Sequence, residues 1–111
     1  MAERPIVKAT DAEHRENDEF GITFEILSVG PTSMVTKMLY EEGDKVPEHS
    51  HESEQSGYVL SGRYRFVFEN YDEILEGGDG YTIPGDVPHR IDVLEPGEVI
   101  DVFTPHREGF L

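Results

Sequence analysis

From Gly21 onward the apolar residues fall in short runs broken by glycine, proline and acidic residues: GITFEILSV, TSMVTKMLY, SGYVLSG, RYRFVFEN, YTI, RIDVL and VIDVF. Each run has the length of a β-strand. Within RYRFVFEN the rings of Tyr64, Phe66 and Phe68 alternate with Arg65 and Val67, which puts all three rings on one face of a half-buried strand. Turn signals such as EGGDG and EPGE separate the later runs. The spacing predicts roughly eight or nine strands in about 90 residues, as in a sandwich or barrel. Residues 1–20 break the pattern. They are polar, carry the acid-rich stretch DAEHRENDE from Asp11 to Glu19, and show no helical or strand periodicity. The expected organisation is an extended or partly mobile arm over 1–20 and one all-β domain over 21–111.

Composition narrows the chemistry. A chain of 111 residues has room for one compact domain, and its 11 glycines and 7 prolines favour turns and strands over long helices. Cysteine is absent, so disulfides, thiolate ligands and a cysteine nucleophile are excluded, and any metal must be held by nitrogen and oxygen. The 24 acidic against 9 basic residues give a formal charge of −15. Such a surface repels phosphates and anionic lipids, so neither nucleic acid nor membrane is an expected partner. It suits plain solubility or life at high salt. No apolar run approaches the ~20 residues that span a bilayer, and MAERPIVKATDAEHREN lacks the apolar core of a secretory signal. The expected location is the cytoplasm.

His49 and His51 stand two apart, so in extended structure both imidazoles leave one face and can approach a single metal ion. Around them, GDKVPEHSHESEQSGYVLSG from Gly43 to Gly62 resembles the first motif of the cupin superfamily, and GDGYTIPGDVPHRI from Gly78 to Ile91 resembles the second, with Pro84, Pro88 and His89 in place. The resemblance implies a single-domain cupin, a jelly-roll barrel or double-stranded β-helix. It also implies His49, His51 and His89 as metal ligands, with position 55 supplying the fourth. Gln55 stands there in place of the usual glutamate. A glutamine carbonyl oxygen can still coordinate a divalent ion, and a wholly neutral ligand set leaves the ion's charge uncancelled for an anionic ligand. Glu54 is a rival fourth ligand, but it is one residue out of the spacing and faces away if its segment is extended. His14 and His106 are read as solvated. The expected cofactor is one divalent ion, with nickel first and zinc, iron, cobalt or manganese compatible with the same donors.

The closing stretch VIDVFTPHREGFL places Val99, Asp101 and Phe103 on one strand face, followed by Arg107. An ordinary barrel could use Asp101 for a structural hydrogen bond and Phe103 as core. Taken with the histidine motifs and Gln55, however, the stretch from about Gly21 to Leu111 resembles the KdgF family of pectin and alginate catabolism. That resemblance implies an isomerase-type enzyme that converts 4,5-unsaturated uronate monosaccharides to linear 5-keto uronates by ring opening and tautomerisation. It assigns metal binding to His49, His51, Gln55 and His89, and substrate or proton-transfer roles to Asp101, Phe103 and Arg107. Arg107 would clamp the sugar carboxylate through paired hydrogen bonds. Arg63, Arg65, Lys37 and Arg90 are further candidates for binding this anionic small-molecule substrate.

The alternatives are a metal-dependent oxygenase, a non-catalytic sugar-binding module, and a barrel whose histidines are incidental. A homodimer is expected, because pairing covers exposed sheet edges.

Overall fold

A computed structural model describes residues 3–111; the first two residues of the expected arm lie outside the described residues. Ten strands follow in chain order: β1 (Glu13–Glu16), β2 (Thr23–Val29), β3 (Met34–Tyr40), β4 (Lys45–His49), β5 (Glu54–Val59), β6 (Arg63–Phe68), β7 (Tyr71–Glu76), β8 (Gly80–Ile83), β9 (His89–Glu95) and β10 (Gly97–Thr104). Nine of them, β2 to β10, occupy the region read as strand-rich from the sequence. The only helical elements among the described residues are two short 3₁₀ turns, Ala9–Asp11 and Glu108–Phe110. Among the described residues no helix is long and apolar enough to cross a membrane.

The strands form two antiparallel sheets. One has six strands in the order β1-β2-β3-β10-β5-β8, and the other has four in the order β4-β9-β6-β7. Period-two patterning decides which side chains lie between them. In β3, Met34, Thr36, Met38 and Tyr40 are buried while the residues between them are partly exposed. In β10, Val99, Asp101 and Phe103 are buried in the same alternation. From the smaller sheet, Tyr64, Phe66, Ile91 and Val93 complete the apolar core. Burying each such side chain stabilises the fold by about 1.5–3 kcal/mol before entropy is counted. The three aromatic positions of β6 share a face as the alternation predicts, with Tyr64 and Phe66 buried and Phe68 partly exposed.

Residues 13–16 of the polar arm pair with β2 as an edge strand, from Glu13 opposite Ile26 to Glu16 opposite Thr23. His14 there meets Glu25 at 2.9 Å, and Arg15 donates to the Leu111 carbonyl at 2.5 Å. Strand β1 and Leu111 are thus held side by side. Outward-facing charges pair locally: Arg63 with Glu76 and Arg65 with Asp72 across β6 and β7, Lys37 with Glu25, and Arg90 with Asp92. The exposed pairs Arg63–Glu76 and Arg65–Asp72 are open to salt screening and contribute little to stability.

The link from β5 to β6 depends on Gly62, whose φ is 94°. A Cβ there would lie 2.5 Å from the Tyr64 hydroxyl, 2.8 Å from the Glu95 carbonyl oxygen and 2.9 Å from that of Pro96, so backbone as well as a buried side chain blocks it. Gly62→Ala is expected to lower unfolding free energy by about 1–3 kcal/mol, from strain plus displaced backbone. Urea denaturation followed by tyrosine fluorescence measures it, and an unchanged midpoint would contradict the close packing.

Candidate metal centre

The pairing of β4 with β9 places His49 opposite His89 at one end of the smaller sheet. The chain then crosses to the larger sheet through residues 50–53, and His51 lies on this crossing rather than in a strand. The shared-face expectation for His49 and His51 is met by that bend, not by an extended strand. Ring centroids are 5.5 Å apart for His49 and His51, 4.3 Å for His49 and His89, and 4.9 Å for His51 and His89. One nitrogen from each of the three lies within 4.8 Å of the others. That proximity is what three imidazoles would need to hold one ion together.

Tautomers support this. Each Nδ1 faces a backbone carbonyl: His49 to Pro47 at 3.0 Å, His51 to Ser53 at 2.9 Å and His89 to Val87 at 2.9 Å. A carbonyl oxygen only accepts, so each Nδ1 carries the proton, and in the neutral ring each Nε2 keeps a free lone pair. Carbonyl partners of this kind fix ring orientation in metal centres. Gln55 is 5% exposed and Glu54, beside it, is exposed, so the inward residue is the glutamine. Gln55 Oε1 lies 3.1 Å from His51 Nε2. Gln55 also lowers the Asp101 pKa in the manner of a hydrogen-bond donor, a part only its amide NH₂ can play, which leaves the carbonyl oxygen toward His51. Two lone-pair atoms at that separation repel unless a cation or proton lies between them. The donor set therefore fits a divalent ion.

Burial lowers the pKa of His49 and His51, and the nearby Arg107 charge lowers both further. His89 is pushed down to about 4, again chiefly by burial. Asp101 is 1% exposed, and burial pushes its carboxyl up to about 7 against hydrogen bonds from Tyr81 and Gln55. Arg107 lies 4.4 Å from the ring centroid of Phe110 and 5.5 Å from that of Phe103, a cation–π setting.

His49, Gln55, His89, Asp101, Phe103 and Arg107 all line one cavity of about 30 Å³, and the His51 ring stands 5.9 Å from that of Phe103. Arg63, Arg65, Lys37 and Arg90 are engaged with the surface carboxylates described above and do not line it. His14 is tied to Glu25, and the His106 ring bonds the Gly30 carbonyl at 2.6 Å; neither joins the cluster.

Several residues around the cavity carry no motif in the sequence. The Asn17 side chain accepts from the backbone N–H groups of Glu19 and Phe20, both at 2.8 Å, an Asx turn that lays Phe20 edge-on to His49 at 5.0 Å. Phe110 folds back against Phe24 and Phe103. Tyr40 lines the cavity, and the Tyr81 hydroxyl donates to Asp101. The NDEFG turn was the one sequence signal that could have pointed to Phe20.

Because a ligating imidazole must be unprotonated, the lowered histidine values keep the site competent below the ordinary imidazole range. Protein loaded with nickel(II) is expected to keep about one equivalent through dialysis at pH 6 and to release it as pH falls toward 4. His89→Asn should lose it already at neutral pH. Elemental analysis of the dialysed protein reads both outcomes.

A family model of the cupin domain matches residues 36–103. No curated protein matches the chain. Among solved structures, an RmlC-like cupin from Shewanella frigidimarina superposes with a TM-score of 0.90 at 25% identity over 100% of both chains. KdgF from a Halomonas species superposes with a TM-score of 0.85 at 27% identity, covering 96% of this chain and 99% of that one. A Bacillus subtilis oxalate decarboxylase shares the fold alone, with 19% identity and a TM-score of 0.79 over 96% of this chain and 31% of its own. With the two-sheet barrel and clustered histidines in place, the chain belongs to the cupin family.

Proposed function

We propose that the protein is a metal-dependent isomerase that opens the ring of 4,5-unsaturated uronate monosaccharides and yields linear 5-keto uronates. The observation that carries this reading is one cavity lined by two members of the three-histidine cluster, His49 and His89, together with a buried carboxyl at Asp101 and the Arg107 cation. Similarity to the Halomonas KdgF supports the substrate class.

His49, His51 and His89, with Gln55, are the residues to hold the ion. A divalent ion there supplies Lewis acidity toward the sugar carboxylate and ring oxygen. The remaining chemistry belongs to the chain. Arg107 binds the uronate carboxylate, and its location inside a strongly acidic protein gives the anion a local positive potential. Phe103 closes the apolar side of the cavity.

Asp101 takes the proton of the anomeric hydroxyl. The O–H electron pair becomes the aldehyde C=O, the bond from the anomeric carbon to the ring oxygen breaks, and the ring oxygen leaves with that pair as the enolate at C5. Asp101 then returns the proton to C4, and C5 becomes a ketone. Atoms and electrons balance without oxidant or water, so the reaction is an isomerisation. A carboxyl held near neutrality by burial suits a group that both accepts and gives a proton.

A hexuronate ring is far larger than the cavity as it stands, so admission of substrate requires Phe20, Arg107 and Phe110 to swing outward.

The deciding experiment adds metal-loaded protein to an unsaturated uronate without oxygen and follows the alkene absorbance. Accelerated decay that stops with chelator is expected; decay at the spontaneous rate rejects the reading, and a requirement for oxygen would favour an oxygenase. Asp101→Asn should retain metal and fold while turnover falls about 10²–10⁴-fold.

A further inference from the structure

Asp101, Gly57 and Tyr81 stand in one row across three neighbouring strands. Asp101 of β10 pairs with Gly57 of β5, and Gly57 pairs in turn with Tyr81 of β8. Inward-facing side chains on such a row are direct neighbours, and two strand spacings, about 9.6 Å, separate the outer two backbones. The Tyr81 side chain spans that gap and its hydroxyl donates to Asp101 Oδ1.

It can do so because the middle position of the row has no side chain. A Cβ built on Gly57 would fall on the Cζ, hydroxyl and Cε1 atoms of Tyr81. The ring therefore lies flat over the β5 backbone, with its other face toward Phe66 at 4.4 Å between centroids. Glycine in a strand interior weakens the strand unless another group needs the space, and here the Tyr81 ring uses it. A tyrosine serving only as core would have been equally well buried without reaching a carboxylate two strands away.

We propose that Tyr81 is a positioning residue, which holds the Asp101 carboxylate in register with the cavity from across Gly57. Gln55 of the neighbouring strand β5 favours the same charged carboxylate, and the pairing of β10 with β3 and β5 fixes the Asp101 backbone. One carboxylate oxygen, Oδ1, is thereby committed to Tyr81.

The kinetic arm of the test rests on the uronate-isomerase reading; the spectroscopic arm does not. Tyr81→Phe keeps the ring and removes the donor. Its kcat is expected to fall about 10–100-fold, the cost of a small misplacement of a reacting group, with KM and metal content unchanged. In an Asp101→Asn background the same substitution should cost nothing further, because its effect passes through Asp101. In protein labelled with ¹³C at aspartate carboxyls, the Asp101 resonance, assigned by its loss in Asp101→Asn, should move in Tyr81→Phe and in Gly57→Ala. A shifted resonance in a protein that does not turn over uronates would reject the function and leave the positioning role standing. An unmoved resonance, or an unreduced loss of kcat in the Asp101→Asn background, overturns the proposal.

Discussion

Strand β10 lies between β3 and β5, and its register with both is the constraint on which the site depends. Asp101 is opposite Thr36 on one side and Gly57 on the other, and Phe103 is opposite Met34 and Gln55. Because strand side chains alternate with period two, a slip of one residue would turn Asp101 and Phe103 to solvent and bring Val102 and Ile100 inward. The apolar core therefore enforces the polar chemistry. Val99 and Phe103, buried at 0% and 1% exposure, hold in place the carboxylate between them, which would otherwise be costly to bury.

The interior is polar only where polarity is answered. Among the described residues no buried side-chain nitrogen or oxygen lacks a hydrogen-bond partner. The three Nδ1 atoms are satisfied by backbone carbonyls, and Asp101 Oδ1 by Tyr81. What remains directed inward is a set of lone pairs on neutral groups, with one negative group behind Gln55. Gln55 has two faces in this arrangement, carbonyl toward the histidines and amide toward Asp101. A glutamate at the same position could not donate to Asp101, and two carboxylates side by side would repel. The glutamine thus couples a cation-binding cluster to a carboxyl without merging their charges.

Much of this was legible in the sequence. Most of the strands, the three aromatic positions of β6, the inward face of β10 and the outward direction of Glu54 follow from alternation, a local property; β7 was not among the runs read from the sequence. The histidines were found because motif spacing survives translation into structure even where its literal premise does not, as with His51 on a bend. Tyr81, Phe20 and Phe110 were not legible. Tyr81 matters through pairing between strands that are far apart in sequence, and Phe20 through an Asx turn inside a stretch whose composition is simply acidic. Lys37, Arg63, Arg65 and Arg90 could not be separated from Arg107 by sequence alone, since each finds or lacks its carboxylate only through register and the course of the chain.

The roof over the cavity is built from segments near both ends of the described chain. Phe20 comes from the turn after β1, Phe110 and Arg107 from the stretch after β10, and Arg15 joins the two by holding the Leu111 carbonyl at 2.5 Å. None of these contacts belongs to the ladders that hold the two sheets together. Local opening there does not require the barrel to yield, and segments of this kind open at far lower cost than a core strand. The strand ladders and the roof are thus different parts of the molecule, and the cavity is walled by the one and covered by the other.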